Sequence, residues 1–268
     1  MAIELPAGVS KHAVAEFVLS LADDELILGH RDSEWTGFAP ILEEDIAFSN
    51  IAQDEMGHSL VWFTLLGQMG EKNPDAMAFE RQWQDFRCCR FVQYPKGDFA
   101  YAVVRQYLFD AAENVRLQAL VKSSAKSLRE IAERIIREEN YHLMHSQGLV
   151  ERLGDATDES HKRMQNAVDI AFPQALGLFE KLNTEPELVS NKVFPGNDFL
   201  CAEWMKEVVP VLTKSTLHLL VAERDGGYVA NVKSDVGGRQ GKHTDHLRRM
   251  IEDMQSVYRT APGVKWLD

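Results

Sequence analysis

QDEMGHSLVW, residues 53–62, places Glu55 and His58 three positions apart within a strongly helical stretch. Residues with this spacing are neighbours on one face of a helix, so this carboxylate and imidazole can reach the same metal ion. The spacing recurs at Glu139 and His142 in REENYHLMHS, residues 137–146. Of the nine histidines, His58 and His142 alone have a glutamate three positions before them. A single pair is common on a solvated helix, so the interpretation depends on what surrounds the two pairs.

Apolar residues recur every three or four positions around both pairs, and this pattern predicts four long helices. Gly37 and Pro40 interrupt the chain between the first two helices, and Gly70 closes the second. A long connection over residues 71–97 then leads to Asp98, whose side chain suits an N-cap. The predicted helices cover residues 11–31, 41–69, 99–121 and 125–153. Short, long and short connections are typical of a ferritin-like four-helix bundle with one long crossover, so the predicted fold class is all-α.

Strand signals are nearly absent, and the remainder of the chain also has helical periodicity. Further helices are expected over residues 159–183, 199–223 and 243–259. No change in composition marks a second domain. We therefore predict a single ferritin-like domain over residues 1–268, with a core bundle at about 11–153 and packed accessory helices at about 159–259.

Composition narrows the classes of function. The chain has 268 residues, of which 45% are apolar and 26% charged, as is usual for globular proteins. Its formal net charge of −12 argues against nucleic acid as a partner, because phosphate binding needs a basic face. No apolar run approaches the roughly 20 residues that cross a bilayer, and no secretion signal is visible. The three cysteines lack the spacing of a disulfide framework or zinc site, so we expect a cytoplasmic protein with reduced thiols.

Each Glu-x-x-His pair is preceded by a helix that carries an acid among Leu, Ile or Phe, namely Glu25 in SLADDELILG and Asp110 in RQYLFDAAEN. Buried carboxylates are unfavourable unless they are protonated, paired or bound to a cation. Two divalent cations would neutralise four carboxylates and leave two imidazoles as neutral donors. Acids from two helices and Glu-x-x-His from two others form the ligand set of ferritin-like di-iron and di-manganese proteins. The predicted metal ligands are Glu25, Glu55, His58, Asp110, Glu139 and His142.

Other interpretations of these residues remain open. The acids and the two pairs could instead form core hydrogen bonds or salt bridges. Glu113 is a rival for the third-helix ligand, and Asp24 and Glu44 are weaker rivals. Tyr141 could be a redox-active phenol or, by preference, a packing residue. We expect His218, His243 and His246 to be surface or packing residues, and GGRQGKH, residues 237–243, to form a turn before the last helix, since it lacks the spacing of a phosphate loop.

Four stretches together resemble the PaaC-type subunit of the bacterial phenylacetyl-CoA epoxidase. They are LADDELILGHRDSEWTGFAPILEEDIAFSNIAQDEMGH (21–58), RQYLFDAAENV (105–115), REENYHLMHSQGLVERLGD (137–155) and GGRQGKHTDHLRRMIEDMQSVYRTAPGVKW (237–266). The likeness spans nearly the whole chain. The last stretch resembles the PaaC branch of the family rather than the catalytic PaaA branch.

The resemblance implies a ferritin-like subunit of a heteromeric monooxygenase that uses di-iron, dioxygen and a reductase to epoxidise phenylacetyl-CoA in phenylacetate catabolism. PaaC-type chains pair with the catalytic PaaA-type subunit and commonly serve as scaffolds that have lost the metal ligands. This chain departs from that pattern, because it keeps all six ligand positions of the catalytic branch. Two irons are the implied cofactor; manganese, or a site without metal, remains open.

Three functions follow from these observations. The first is an epoxidase subunit with redox chemistry of its own, and the second is a scaffold whose metal site is stabilising or vestigial. The third, a self-contained di-iron oxidase or peroxidase of rubrerythrin type, ranks last because no Cys-x-x-Cys pair is present. The residues alone assign no catalytic side chain, and they indicate neither coenzyme A nor an aromatic ring. Whether this chain is catalytic or structural is left open by its sequence.

Overall fold

The computed structural model describes residues 5–261 and 264, and their fold is the expected all-α, ferritin-like bundle. The helices are α1 (Lys11–Ser33), α2 (Leu42–Gln68), α3 (Pro74–Phe79), α4 (Phe99–Leu120), α5 (Lys126–Gly154), α6 (Asp158–Ala175), α7 (Glu185–Ser190), α8 (Asn197–Lys214), α9 (Asp245–Met254) and α10 (Ser256–Thr260). A two-stranded antiparallel sheet is formed by β1 (Val221–Arg224) and β2 (Gly227–Ala230). Short 3₁₀ turns cover Trp83–Asp85, Phe91–Gln93, Leu176–Phe179 and Gly238–Gln240.

The four long helices form two antiparallel pairs that face each other. Helix α1 packs along α2, α4 packs along α5, and α2 also contacts α5. The segment between α2 and α4 contains α3 and is the single long crossover that the sequence predicts. Helix α4 is the central element, because α5, α6 and α8 all pack against it and nearly all of its side chains are buried. The accessory helices therefore surround the second half of the bundle.

The starts of α1 and α4 depend on side-chain caps. Ser10 accepts a hydrogen bond from the Ala13 amide at 3.1 Å, and Asp98 accepts one from the Tyr101 amide at 2.9 Å. The predicted N-cap role of Asp98 is thus confirmed. Such caps satisfy amides that the first helical turn leaves without a partner, and each contributes about 0.5–2 kcal/mol.

The predicted helix over residues 199–223 is wrong in its last third. Helix α8 ends at Lys214, and the chain turns at Thr216, which has a φ of 62°. A hairpin follows, and Asp225 and Gly226 at its turn both have positive φ. Asp-Gly is a strong signal for a two-residue hairpin turn, so this feature could have been found in the sequence.

The remaining predicted helices are also shorter than expected. Helix α6 ends at Ala175 and gives way to a 3₁₀ turn, and the last helix is divided at Gln255 into α9 and α10. The Gln255 side chain is fully buried and donates to the carbonyl oxygens of Ala78 and Arg81 at 3.3 and 3.0 Å. This buried amide ties the division between the two helices to the segment after α3.

Buried apolar side chains from α1 to α9 form one continuous core, which is compatible with the single-domain assignment; the domain boundaries themselves stay a prediction. Cys88, Cys89 and Cys201 are free thiols. Among residues 5–261 and 264, no helix is both long enough and apolar enough to span a membrane.

Candidate metal centre

The six predicted ligands lie together at the centre of the bundle, and none is more than 2% exposed. They form two overlapping groups in which one candidate ligand atom of each residue lies within 4.8 Å of the others. The first group, called the Glu25 half, consists of Glu25, Glu55, His58 and Glu139. The second, called the Asp110 half, consists of Glu55, Asp110, Glu139 and His142. Glu55 and Glu139 belong to both halves, which is the position of a bridging carboxylate.

Close packing of α1 on α2 brings Glu25 towards Glu55. Gly29 lies one helical turn after Glu25, and a Cβ added there would lie 3.0 Å from the Ala52 carbonyl oxygen. A side chain at position 29 would therefore push the two helices apart. The absence of a side chain at this position lets the carboxylate of α1 reach those of α2 and α5.

Both imidazoles direct Nδ1 into the cluster. The Nδ1 atom of His58 lies 3.0 Å from Oε1 of Glu139, and that of His142 lies 3.6 Å from Oε1 of Glu55. The ring centroids are 6.1 Å apart. Each histidine thus faces the Glu of the opposite Glu-x-x-His pair, so the two pairs interlock across the α2–α5 interface.

Two acids outside the predicted set orient these rings. Nε2 of His58 lies 2.8 Å from Oε2 of Glu138, and Nε2 of His142 lies 3.2 Å from Oδ2 of Asp54. Asp54 and Glu138 directly precede the two ligand glutamates, and each contacts the histidine of the other helix. A carboxylate on one ring nitrogen holds its proton there and leaves the other nitrogen free for a metal. The acid before each Glu-x-x-His was a signal in the sequence that the ligand analysis missed.

Electrostatics in this cluster favour added positive charge. Burial, followed by the nearby Glu55 charge, raises the pKa of Glu25, and burial raises the pKa of Asp110 well above its usual range. Burial lowers the pKa of His58, but Glu139 outweighs it and raises the pKa to about 9. For His142 the same opposition, with Asp54 and Glu55 dominant over burial, gives a pKa of about 12. Protons therefore reside on these groups unless another cation replaces them.

Several donor atoms of the cluster lack a hydrogen-bond partner within the described residues. They are both carboxylate oxygens of Glu25 and of Glu139, Oε2 of Glu55, and Nδ1 of His58 and His142. Buried polar atoms are rarely left in this state, and a concentration of them at one point indicates a missing ion. Carboxylate oxygens and imidazole nitrogens are suitable ligands for iron or manganese. The residues present therefore fit a pair of divalent cations.

Glu25→Met is expected to stabilise the metal-free protein. The Glu25 carboxyl is buried without a hydrogen-bond donor among the described residues, so an apolar side chain of similar length removes an unfavourable burial. We expect the free energy of unfolding to rise by about 1–3 kcal/mol. Urea denaturation of wild type and variant in EDTA measures this change. A loss of stability in the variant would show that the carboxyl makes a favourable contact in the apo protein.

Asp110 differs from the other acids because its hydrogen bonds are complete. Gln106 donates through Nε2 to Oδ1 at 2.7 Å, and Ser146 donates through Oγ to Oδ2 at 2.7 Å. Gln106 lies one turn before Asp110 on α4, and Ser146 lies one turn after His142 on α5. Helical spacing alone could have indicated both as neighbours of the ligands.

The rival ligands are engaged elsewhere. Asp24 is paired with Arg239, Glu113 forms an ion pair with Arg116, and Glu44 accepts from Nε2 of His145 at 3.0 Å. None of the three rivals belongs to the metal-ligand groups found in the described part of the chain. The choice of Glu25 over Asp24 and of Asp110 over Glu113 therefore agrees with the geometry.

The interpretation of Tyr141 as a phenol at the metal, or as a core packing residue, is wrong. Its side chain is 54% exposed on the outer face of α5. His243 is a packing residue, as expected, because Nδ1 lies 2.8 Å from the Gln93 side chain and Nε2 lies 2.9 Å from the Phe86 carbonyl.

The GGRQGKH segment is a turn before α9, as predicted, but it also inserts a buried arginine that the sequence analysis missed. Gly238 packs so closely on the crossover that an added Cβ would lie 2.3 Å from the Cys88 carbonyl oxygen. Arg239 then reaches α1, where its guanidinium donates to Oδ1 and Oδ2 of Asp24 at 2.9 and 2.5 Å. The glycine thus permits the approach that the arginine needs.

Comparison with known proteins shows where this chain belongs. The family described as Phenylacetic acid catabolic protein matches residues 3–266. The chain is 33% identical over 251 residues to the PaaC-type subunit of the 1,2-phenylacetyl-CoA epoxidase of Escherichia coli (strain K12), covering 93% of this chain and 98% of that protein. Among solved structures, a Synechococcus protein with aldehyde deformylating oxidase activity matches with a TM-score of 0.50 and 14% identity, over 77% of this chain and 88% of the other.

The low identity of the structural match means that it supports the helical fold and nothing finer. The family match and the Escherichia coli relative both extend over almost the entire sequence, and they confirm the resemblance that the four sequence stretches indicate. This chain belongs to the family of phenylacetic acid catabolic proteins.

Proposed function

We propose that this chain is a subunit of a multicomponent ring-1,2-phenylacetyl-CoA epoxidase that acts in aerobic phenylacetate degradation. The observation that carries the proposal is the end-to-end identity of 33% with the PaaC-type subunit of the Escherichia coli epoxidase. In this role the chain pairs with a catalytic PaaA-type subunit and the other epoxidase components. Phenylacetyl-CoA and dioxygen are substrates of the complex.

The proposal includes a carboxylate-bridged di-metal site, with iron as the preferred metal and manganese as the alternative. Glu55 and Glu139 are the bridging candidates, Glu25 and His58 complete one half, and Asp110 and His142 complete the other. The unpartnered oxygens and nitrogens of the described cluster support this assignment. When bound, such a metal pair supplies redox chemistry with dioxygen.

The protein's own contribution is to hold the ligands, exclude water and direct protons. All six ligand side chains are buried, so the cluster is shielded from solvent by the bundle. Each imidazole presents Nδ1 inward, and its outer nitrogen donates to Asp54 or Glu138 at the helix surface. The paired acids keep the proton on Nε2, so Nδ1 is the atom available for coordination.

Reconstitution of the epoxidase tests the assignment as a subunit. We expect this chain to co-purify with the catalytic subunit, and its omission to reduce epoxidation of phenylacetyl-CoA to the level of the catalytic subunit alone. Because the family branch is that of the partner subunit, a Glu55→Ala/His142→Ala chain is expected to restore that activity. Loss of epoxidation with this variant would place the chemistry in this chain, and failure to bind the catalytic subunit would contradict the proposal.

A second candidate function is a self-contained di-iron oxidase, which is favoured by the complete and buried ligand set. The two proposals differ for the chain in isolation. Under the first, the purified and iron-loaded chain does not consume dioxygen when a chemical reductant is supplied. Sustained consumption that disappears in the Glu55→Ala/His142→Ala variant would favour the second.

An exposed apolar surface at one end of α2 is suitable for the proposed partner. Phe38, Ile41, Leu42 and Ile46 are 73%, 54%, 70% and 52% exposed, and all lie within nine residues of sequence. Leu42 and Ile46 are one turn apart on the same helix face. Clustered exposed apolar side chains are typical of protein interfaces, and we assign this surface to the catalytic subunit.

Leu42→Asp/Ile46→Asp is expected to weaken binding of the catalytic subunit by at least about 2 kcal/mol, because two charges would be buried at an apolar contact. Isothermal titration of the two purified subunits measures the loss. Val257→Asp, at a residue that is 64% exposed on α10, is the control and should bind as wild type does. Unchanged affinity in the double variant would remove this surface from the interface.

A further inference from the structure

The two halves of the metal centre are chemically unequal, although they share Glu55 and Glu139. Their difference lies in the acid that each half does not share with the other. Within the described residues, neither oxygen of Glu25 has a hydrogen-bond partner. Both oxygens of Asp110 have one, from Gln106 and from Ser146, each at 2.7 Å.

This difference changes what a cation gains in each half. A buried carboxylate without donors lacks the solvation it had in water, so an ion beside Glu25 supplies an interaction that is otherwise missing. Asp110 already has that interaction from two neutral donors. An ion in the Asp110 half must therefore weaken or redirect at least one of two short hydrogen bonds, which makes its binding less favourable.

The two donors of Asp110 are themselves held in place. Gln106 is 1% exposed, and its Nε2 atom also lies 3.4 Å from Oε1 of Glu55. Ser146 is 1% exposed, and its Oγ lies 3.3 Å from the Leu143 carbonyl oxygen of its own helix. Both are fixed by the close packing of α4 against α5, so Asp110 cannot turn away from one donor without leaving that donor buried and unpaired.

We propose that the centre loads in order: the first divalent cation enters the Glu25 half with high affinity, and the second enters the Asp110 half more weakly. Gln106 and Ser146 act as positioning residues that restrain Asp110 and set the affinity of the second step. This inference rests on the proposed metal site and extends it to the order of filling.

Titration of the full-length, EDTA-treated chain with Mn²⁺ tests the order, with free Mn²⁺ followed by its electron paramagnetic resonance signal. We expect two steps for the wild type that differ in affinity by at least about tenfold. At less than one equivalent, the bound signal should be that of isolated Mn²⁺ ions rather than coupled pairs. Equal affinities, or coupled pairs from the first addition, would overturn the inference.

Matched amide variants identify which half fills first. Glu25→Gln should remove the tight step, whereas Asp110→Asn should keep the tight step and remove the weak one. A tight step that survives Glu25→Gln but not Asp110→Asn would reverse the proposed order and so overturn it. Each exchange preserves side-chain shape, and thermal unfolding of the apo variants verifies that the fold persists.

Ser146→Ala tests the restraint. Removal of the hydroxyl frees Oδ2 of Asp110, so the weak step should tighten by about threefold while the tight step is unchanged. A weaker second step in this variant would contradict the restraining role. Absence of Mn²⁺ binding in the wild type and every variant would instead contradict the metal site itself, which separates that failure from a failure of the loading order.

Discussion

Arg239→Met is expected to lower the free energy of unfolding by about 3–5 kcal/mol, because it leaves a buried carboxylate without its cation. Arg239 is 5% exposed and Asp24 is fully buried. The guanidinium donates to both oxygens of Asp24 and also to the carbonyl oxygens of Ser20 and Arg87, each at 2.9 Å. One side chain thereby joins α1, the crossover and the segment before α9.

The effect reaches the metal centre because Asp24 directly precedes Glu25. The remaining donor to Asp24 is the Cys89 amide at 2.7 Å, which cannot neutralise the charge. The Asp24 charge already contributes to the raised pKa of Glu25, after burial and the charges of Glu55 and Glu139. Loss of Arg239 is expected to strengthen that repulsion.

Urea unfolding of the full chain measures the loss, and two further variants separate its causes. Arg248 is exposed and forms long ion pairs with Asp245 and Glu252, so Arg248→Met should change stability by less than about 0.5 kcal/mol. Asp24→Leu added to Arg239→Met should recover much of the loss, since the unpaired charge is then gone. A loss below about 1 kcal/mol in Arg239→Met would contradict the account.

Glu139→Ala should reduce the bound metal from about two ions per chain to near none, since Glu139 belongs to both halves of the centre. Neither of its oxygens makes a hydrogen bond within residues 5–261 and 264. The apo variant should therefore stay folded, and the loss of metal can be attributed to the ligand.

Metal analysis after expression with iron, together with circular dichroism, checks this result. Glu133→Ala is the matched control, because Glu133 lies on the same helix and is exposed. The control should keep the metal content of the wild type. Two ions retained in Glu139→Ala would exclude the proposed bridging role, and one retained ion would assign Glu139 to a single half.

Three successive acids show how far the sequence could be interpreted. Asp23, Asp24 and Glu25 stand in one apolar stretch, and composition does not distinguish them. Consecutive residues on a helix point about 100° apart, so each faces a different neighbour. Asp23 pairs with Arg81 at 3.0 Å, Asp24 pairs with Arg239, and Glu25 faces the ligand cluster. The rotation of α1 against its neighbours, which local spacing does not encode, decides these three destinations.

The sequence alone was sufficient for the long helices, their short–long–short connection and the six candidate ligands. Helical periodicity and Glu-x-x-His spacing are local properties, and an acid within an apolar run is unusual enough to be noticed. The tertiary structure decided the contacts between distant segments: Arg239 with Asp24, 215 positions apart, and His142 with Asp54 and His58 with Glu138, 88 and 80 positions apart. Such pairs depend on how helices are rotated and aligned along one another, and that arrangement results from the packing of the whole core rather than from any one segment.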